Sequence, residues 1–295
     1  MARALEAAAG TIYDIGYRNY EGARLGRGYA FRTLFVHSLR AAFGLGRGGK
    51  ALLFPWAMFA IINLPAIVTV AAAGMTGGAA NLVDYDDYME PVSLLLALFC
   101  AGQAPELVSR DQHNRVLPLY FSRALRQSDY AVAKLLAMWT AVFLVVVTPL
   151  LIILMGRLAV PADVAAAFRA ESKNVLPILG TAAAFALAVG TPSIALAALM
   201  PRRGLASAMV LGMFMLTLPL AAIVMESVDA RWGDFGVLVN PIFAAAGAVL
   251  ALFNEAPDGP LKQAGLPDGA YAAAVIAYGI LFSLVLLNRY RRLSA

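Results

Sequence analysis

Six stretches of this chain are close to pure hydrocarbon: residues 51–73, 91–108, 131–155, 176–200, 205–225 and 271–287. A helix needs about 20 apolar residues to cross a hydrocarbon layer of roughly 30 Å, so each stretch is long enough to cross once with some tilt. Backbone N–H and C=O groups inside lipid must be satisfied within their own segment, which leaves helices as the economical solution. The predicted fold is all-α: a polytopic membrane protein with six transmembrane helices. Composition agrees, because 61% of the 295 residues are hydrophobic and only 14% charged, against roughly 25% charged in ordinary soluble domains. A built-in nucleotide-hydrolysing domain is therefore not expected beside six crossings. The first 49 residues carry no signal-peptide-like apolar run, so insertion is expected to start at the first span. A single cysteine, Cys100, and two histidines, His37 and His113, give neither an intrachain disulfide nor metal-ligand spacing.

The charges sort by side. With the N-terminus in the cytoplasm, the inner segments hold 18 Lys and Arg against 6 acids, and the outer segments 5 against 12, including Asp84, Asp86, Asp87 and Glu90. This follows the positive-inside rule and places both termini in the cytoplasm. The net charge of +5 is therefore a topology signal, and nucleic acid is not expected as a partner. A seventh apolar run, "GVLVNPIFAAAGAVLALF" (236–253), would reverse the last segment and send Arg289, Arg291 and Arg292 outside if it crossed. Asn240 and Pro241 interrupt it. The expectation is a re-entrant outer segment over about 236–254, with an outer interfacial helix as the alternative.

Residues 1–50 form the expected cytoplasmic arm, and 51–295 the six-span domain. Within the arm, Phe31, Leu34, Phe35, Leu39, Ala42 and Phe43 share one helical side, and Thr33, His37 and Arg40 the other. A basic amphipathic helix ahead of the first span is expected to lie in the inner interface as an elbow; packing against the protein's own spans is the alternative. "GLGRGGKA" (44–51) has the glycine and lysine offsets of a phosphate-binding loop. It lacks the Ser or Thr after Lys50, a preceding strand and a soluble helix behind it, so a hinge is expected there instead.

Transporters driven by ion gradients hold ionisable groups near the bilayer midplane, and these spans carry almost none. Energy, if the chain uses any, is then expected from elsewhere. The segment "RVLPLYFSRALRQSDYAVAK" (115–134) stands apart from the apolar runs on both sides. Burying Arg110, Arg115, Arg123 and Arg126 would cost about 10 kcal/mol on insertion scales, so the loop at about 109–130 lies outside the membrane. Inside that basic rim sits an apolar centre of Val116, Leu117, Leu119, Tyr120 and Phe121, the makeup of a protein-docking knob. An interfacial loop dipped into headgroups is the plainer alternative. Ser128 is the expected N-cap of the third span.

"ELVSRDQHNRVLPLYFSRALRQSDYAVAKLLA" (106–137) resembles the loop between the second and third spans of permease subunits in type-2 ATP-binding-cassette (ABC) exporters. Glu106 matches the acidic residue closing span 2, and Ser122, Arg123, Tyr130 and Lys134 match an "SR…Y…K" run. Asn114 and Arg115 stand where that family often has Gly-Thr, and Ser122, Arg123 and Ala124 where a proline usually follows. "IYDIGYRNYEGARLGR" (12–27) is similar to a permease group of high-GC Gram-positive bacteria. The resemblance implies a bacterial cytoplasmic membrane, separate ATPase subunits docked on the coupling segment, and a second permease half, identical or sibling. ATP and Mg would be bound by the partner ATPase, with no cofactor in this chain, which is a transport subunit and not itself an enzyme. It also nominates Gln103, Met213 and Met215 for a substrate path suited to apolar or amphipathic molecules. The rival readings are a membrane anchor or assembly factor that recruits a soluble partner, and a gradient-driven carrier.

Overall fold

Residues 25–46, 48–77, 82–122, 125–161, 163–227 and 230–292, with Gly22, are described by a computed structural model. The opening motif at 12–27 and Arg123 thus lie largely or wholly outside the described residues. Helix α1 (Arg27–Ala42) leads to α2 (Lys50–Met75), α3 (Tyr85–Leu107), two short helices α4 (Ser109–His113) and α5 (Leu117–Phe121), and the long α6 (Gln127–Ala159). The chain continues through α7 (Val164–Glu171), α8 (Val175–Phe185), α9 (Thr191–Leu199) and α10 (Arg203–Ser227). It ends with α11 (Ala230–Gly233), α12 (Pro241–Phe253), α13 (Gly259–Ala264) and α14 (Asp268–Arg292).

Among the described residues six helical units are long and apolar enough to cross a membrane: Lys50–Met75, Tyr85–His113, Gln127–Ala159, Val164–Leu199, Arg203–Ser227 and Asp268–Arg292. All six expected spans are present, most of them extended at their ends. The fourth departs most, since residues 164–175, expected as outer loop, already belong to the helical unit. Inside it, one π-helical turn spans Ala186–Gly190. Pro192 lacks the N–H that an α-helix needs there, and the Thr191 and Ser193 hydroxyls donate to the carbonyls of Ala186 (3.4 Å) and Val189 (2.7 Å).

The core is built on α3, α6 and the α7–α9 unit. In their most apolar windows, 78% of the α3–α4 unit is buried, but only 28% of α2, 22% of α14 and 17% of α10. Those three helices present broad apolar faces outward, including Leu53, Leu64, Leu216 and Leu284, to lipid or to another membrane chain.

One end of the bundle is basic and the other acidic. At the acidic end Arg157 bonds to Asp84 (2.6 Å), Tyr85 donates to Glu171 (3.0 Å), and Tyr85 stacks on Phe253 at 5.1 Å. At the basic end lie α1, α4, α5 and the starts of α2 and α10. Helix α1 packs along α6 and α3, burying Leu34, Ser38, Ala41 and Ala42. Arg27 makes a two-pronged ion pair with Asp129, at 2.5 and 2.7 Å. The helix closes at Gly44, which turns left-handed at φ 70, while Leu45 N–H donates to Arg40 (2.8 Å) and Gly44 N–H to Ala41 (3.0 Å).

The interrupted run has a definite register. A 3₁₀ segment, Asp234–Val239, enters beside the end of α10, where Gly236 lies against Ala221 and Met225. It stops at Asn240, whose amide donates to the Phe214 carbonyl (3.2 Å) and Thr217 hydroxyl (2.9 Å), midway along α10. The Asn240 side chain also accepts from Ile242 and Phe243 N–H, capping α12. Tyr278, midway along α14, donates to the freed carbonyls of Leu238 (3.0 Å) and Val239 (2.8 Å). Helix α12 then returns to the acidic end, where Phe253 meets Tyr85. Its 13 residues span about 20 Å, too short to cross. Close packing on α14 relies on Gly247, since a Cβ there would collide with the Tyr271 ring.

Candidate functional site

The α4–α5 hairpin caps the basic end and is wired into three helices besides the one it continues. Helix α9 ends at Leu199, leaving its last carbonyls without intrahelical donors. Ser109 Oγ donates to the Ala197 carbonyl (2.9 Å), Gln112 Nε2 to that of Ala198 (2.8 Å), and Arg289 Nε from α14 reaches the same oxygen at 3.4 Å. Gln112 also donates to the Tyr290 hydroxyl at 3.2 Å. The hairpin therefore closes α9 and α14 at one point.

Its second attachment is to α6. Lys134, with 4% of its side chain exposed, forms an ion pair with Asp111 at 2.8 Å. Tyr130 O–H donates to the same carboxylate at 2.7 Å. Around this pair the rings of Tyr120 (5.5 Å), Phe121 (6.0 Å) and Tyr290 (4.9 Å) pack on Tyr130, each such contact contributing about 0.5–1.5 kcal/mol. Burial, aided by the Asp111 charge, pushes the Tyr120 phenol up from its ordinary pKa.

Between the two short helices Arg115 is left-handed at φ 53. Its N–H donates to Gln112 (3.1 Å), and Val116 N–H to Asp111 (3.2 Å). This is a Schellman closure with arginine where glycine is favoured. Pro118, in the first turn of α5, presets its dihedral there. The cap of helix α6 falls at Arg126 rather than at Ser128: Asp129 accepts from Arg126 N–H at 3.0 Å, and Ser128 lies inside the first turn.

The hairpin thus divides the expected apolar centre. Tyr120 and Phe121 turn inward and are half-buried, as are Val116 and Leu117, whereas Leu119 is 68% exposed. Arg110 and Arg115 are exposed beside it. The outward surface is one leucine among cations, with an aromatic layer holding it from behind. Asp111, Gln112 and Tyr290 were not foreseen from sequence. Their signal was indirect: a lysine inside an apolar span needs an acid nearby, and the preceding loop offers Asp111.

Gln103, on α3, is buried at the basic end, while Met213 and Met215 are half-buried midway along α10, beside the Asn240 break. The fold does not bring the three together. Glu106 pairs with Arg203 at the start of α10. Among the described residues no group of three or more His, Cys, Asp or Glu is arranged to hold a metal. No protein-family model matches the chain, and no curated protein matches it.

Proposed function

We propose that this chain is one permease half of an ATP-driven ABC exporter in a bacterial cytoplasmic membrane, moving an apolar or amphipathic substrate. The observation that carries this reading is the α4–α5 hairpin: an exposed rim of Arg110, Arg115 and Leu119 whose back is bonded to α6, α9 and α14. A protein gripping that rim would move three spans together. In this reading the basic end faces the cytoplasm with both termini. Helix α1 is the elbow, with its exposed Tyr29 and Val36 available to the inner interface. The Asp234–Phe253 excursion is the re-entrant segment, entering from outside to mid-depth and returning. The outward faces of α2 and α10 supply surface for the second permease half, and two separate ATPase subunits bind ATP and Mg.

The test is ATP hydrolysis by the chain purified with its ATPase. Leu119→Asp should abolish co-purification of the ATPase while leaving membrane insertion and elution profile unchanged. Normal association of that variant removes the docking role. A complex whose hydrolysis responds to no apolar or amphipathic compound favours an anchor instead.

A further inference from the structure

A cleft of about 840 Å³ opens at the basic end between the starts of α2 and α10 and the α3–α4 junction. Its wall carries Lys50, Arg110, Arg202 and Arg203, with His113, against the single carboxylate of Glu106. Glu106 is engaged by Arg203. For Lys50, Arg110 and Arg202 the described residues provide no salt bridge. The first turns of α2 and α10 line the same space, and helices of 26 and 25 residues direct the positive ends of their dipoles into it.

A second, independent feature lies deeper in the cleft. Gln103 lines it, is 4% exposed, and its amide has no hydrogen-bond partner among the described residues. An amide almost enclosed by protein and lining only this cleft keeps its donors and acceptor available to a ligand held there. The rest of the wall is mixed, with Ser109 and Asn114 on one side and the apolar Ala51, Phe54 and Pro55 of α2 on the other. Next to the cleft along the chain, Leu53 and Leu205 are 74% and 54% exposed. Cations and an amide inside, with hydrocarbon at the rim, match a ligand with a compact anionic head and an apolar tail.

We infer that this cleft binds a phosphate-type anion, carried on an amphiphile whose chains lie along α2 and α10. The cations neutralise the phosphate, the Gln103 amide donates to one of its oxygens, and the tail remains in the apolar layer. Binding requires no ATPase, so this inference and the transport reading fail separately.

The experiment is equilibrium binding of radiolabelled phosphatidic acid to the purified full chain in detergent, with inorganic phosphate and neutral diacylglycerol as competitors. Lys50→Gln combined with Arg202→Gln should weaken binding about tenfold or more, through loss of two charge-assisted contacts. Arg40→Gln, which removes a charge outside the cleft, should leave it unchanged. Gln103→Leu should weaken binding several-fold while leaving thermal stability unchanged, since no hydrogen bond within the described residues is lost; a purely structural role would move stability instead. Competition by inorganic phosphate at equimolar concentration would overturn the amphiphile and assign the site to soluble phosphate. Equal loss in Arg40→Gln, or no loss in the cleft variants, would overturn the site.

Discussion

Lys134 sits about two turns inside an apolar helix and is nearly sequestered, held by Asp111 and by the ring of Tyr130, 5.2 Å from its ammonium. Removing one member of such a pair strands the other. Asp111→Asn is expected to destabilise the purified protein by about 3 kcal/mol. Adding Lys134→Met should restore most of that, which a thermal double-mutant cycle measures. Stability recovered without recovered ATPase coupling would separate holding the hairpin from transmitting through it. Arg115 is the opposite case, a side chain in a backbone conformation suited to glycine. Left-handed geometry costs a non-glycine residue about 1–2 kcal/mol, partly offset by the entropy that glycine loses on folding. Arg115→Gly should therefore be neutral or stabilise by up to about 1 kcal/mol in thermal unfolding, yet weaken ATPase association by taking a cation off the rim. A strained arginine kept at this turn is what a binding role for its charge would require.

At the level of elements, the legibility of the sequence divides by range. The six spans were readable because hydropathy is local and lipid demands it. The Asn240-Pro241 break was readable because proline cannot donate, and the structure adds its partners on α10 and α14, far away in sequence. Asn240→Ala removes the α12 cap and the link to Thr217, and should cost about 1–2 kcal/mol in thermal stability. A cost near zero would mean that water replaces these bonds and that the break is wet. The start of the fourth unit escaped the reading because α7 carries Arg169 and Glu171 among its alanines and looks like loop. Its helical state rests on the Asp163 cap (2.9 Å to Ala166 N–H) and on Glu171, which accepts from Tyr85 and Asn174. Likewise Tyr120 and Phe121 read as outward-facing from composition alone, whereas packing on Tyr130 turns them inward. Only a tertiary partner decides which face of a five-residue helix is inner.

For the whole molecule, the polarity of the bundle and its uneven burial define the account. A reporter fused after residue 295 should read cytoplasmic if the basic end is the inner one; an outside signal would invert the topology and place the hairpin beyond the reach of ATP. The thinly buried α2, α10 and α14 leave apolar surface that a second membrane chain can cover, whereas the hairpin offers a surface to a water-soluble one. The central claim is that this hairpin is where a nucleotide-hydrolysing protein takes hold. Leu119→Cys tests it most directly: Cys100 is fully buried, so the new thiol is the one exposed cysteine available to a short thiol-directed cross-linker in native membranes. The account predicts a covalent adduct with an ATPase whose yield changes between nucleotide-free and ATP-bound conditions. Adducts only with lipid, or with a partner that neither binds nor hydrolyses ATP, would contradict it.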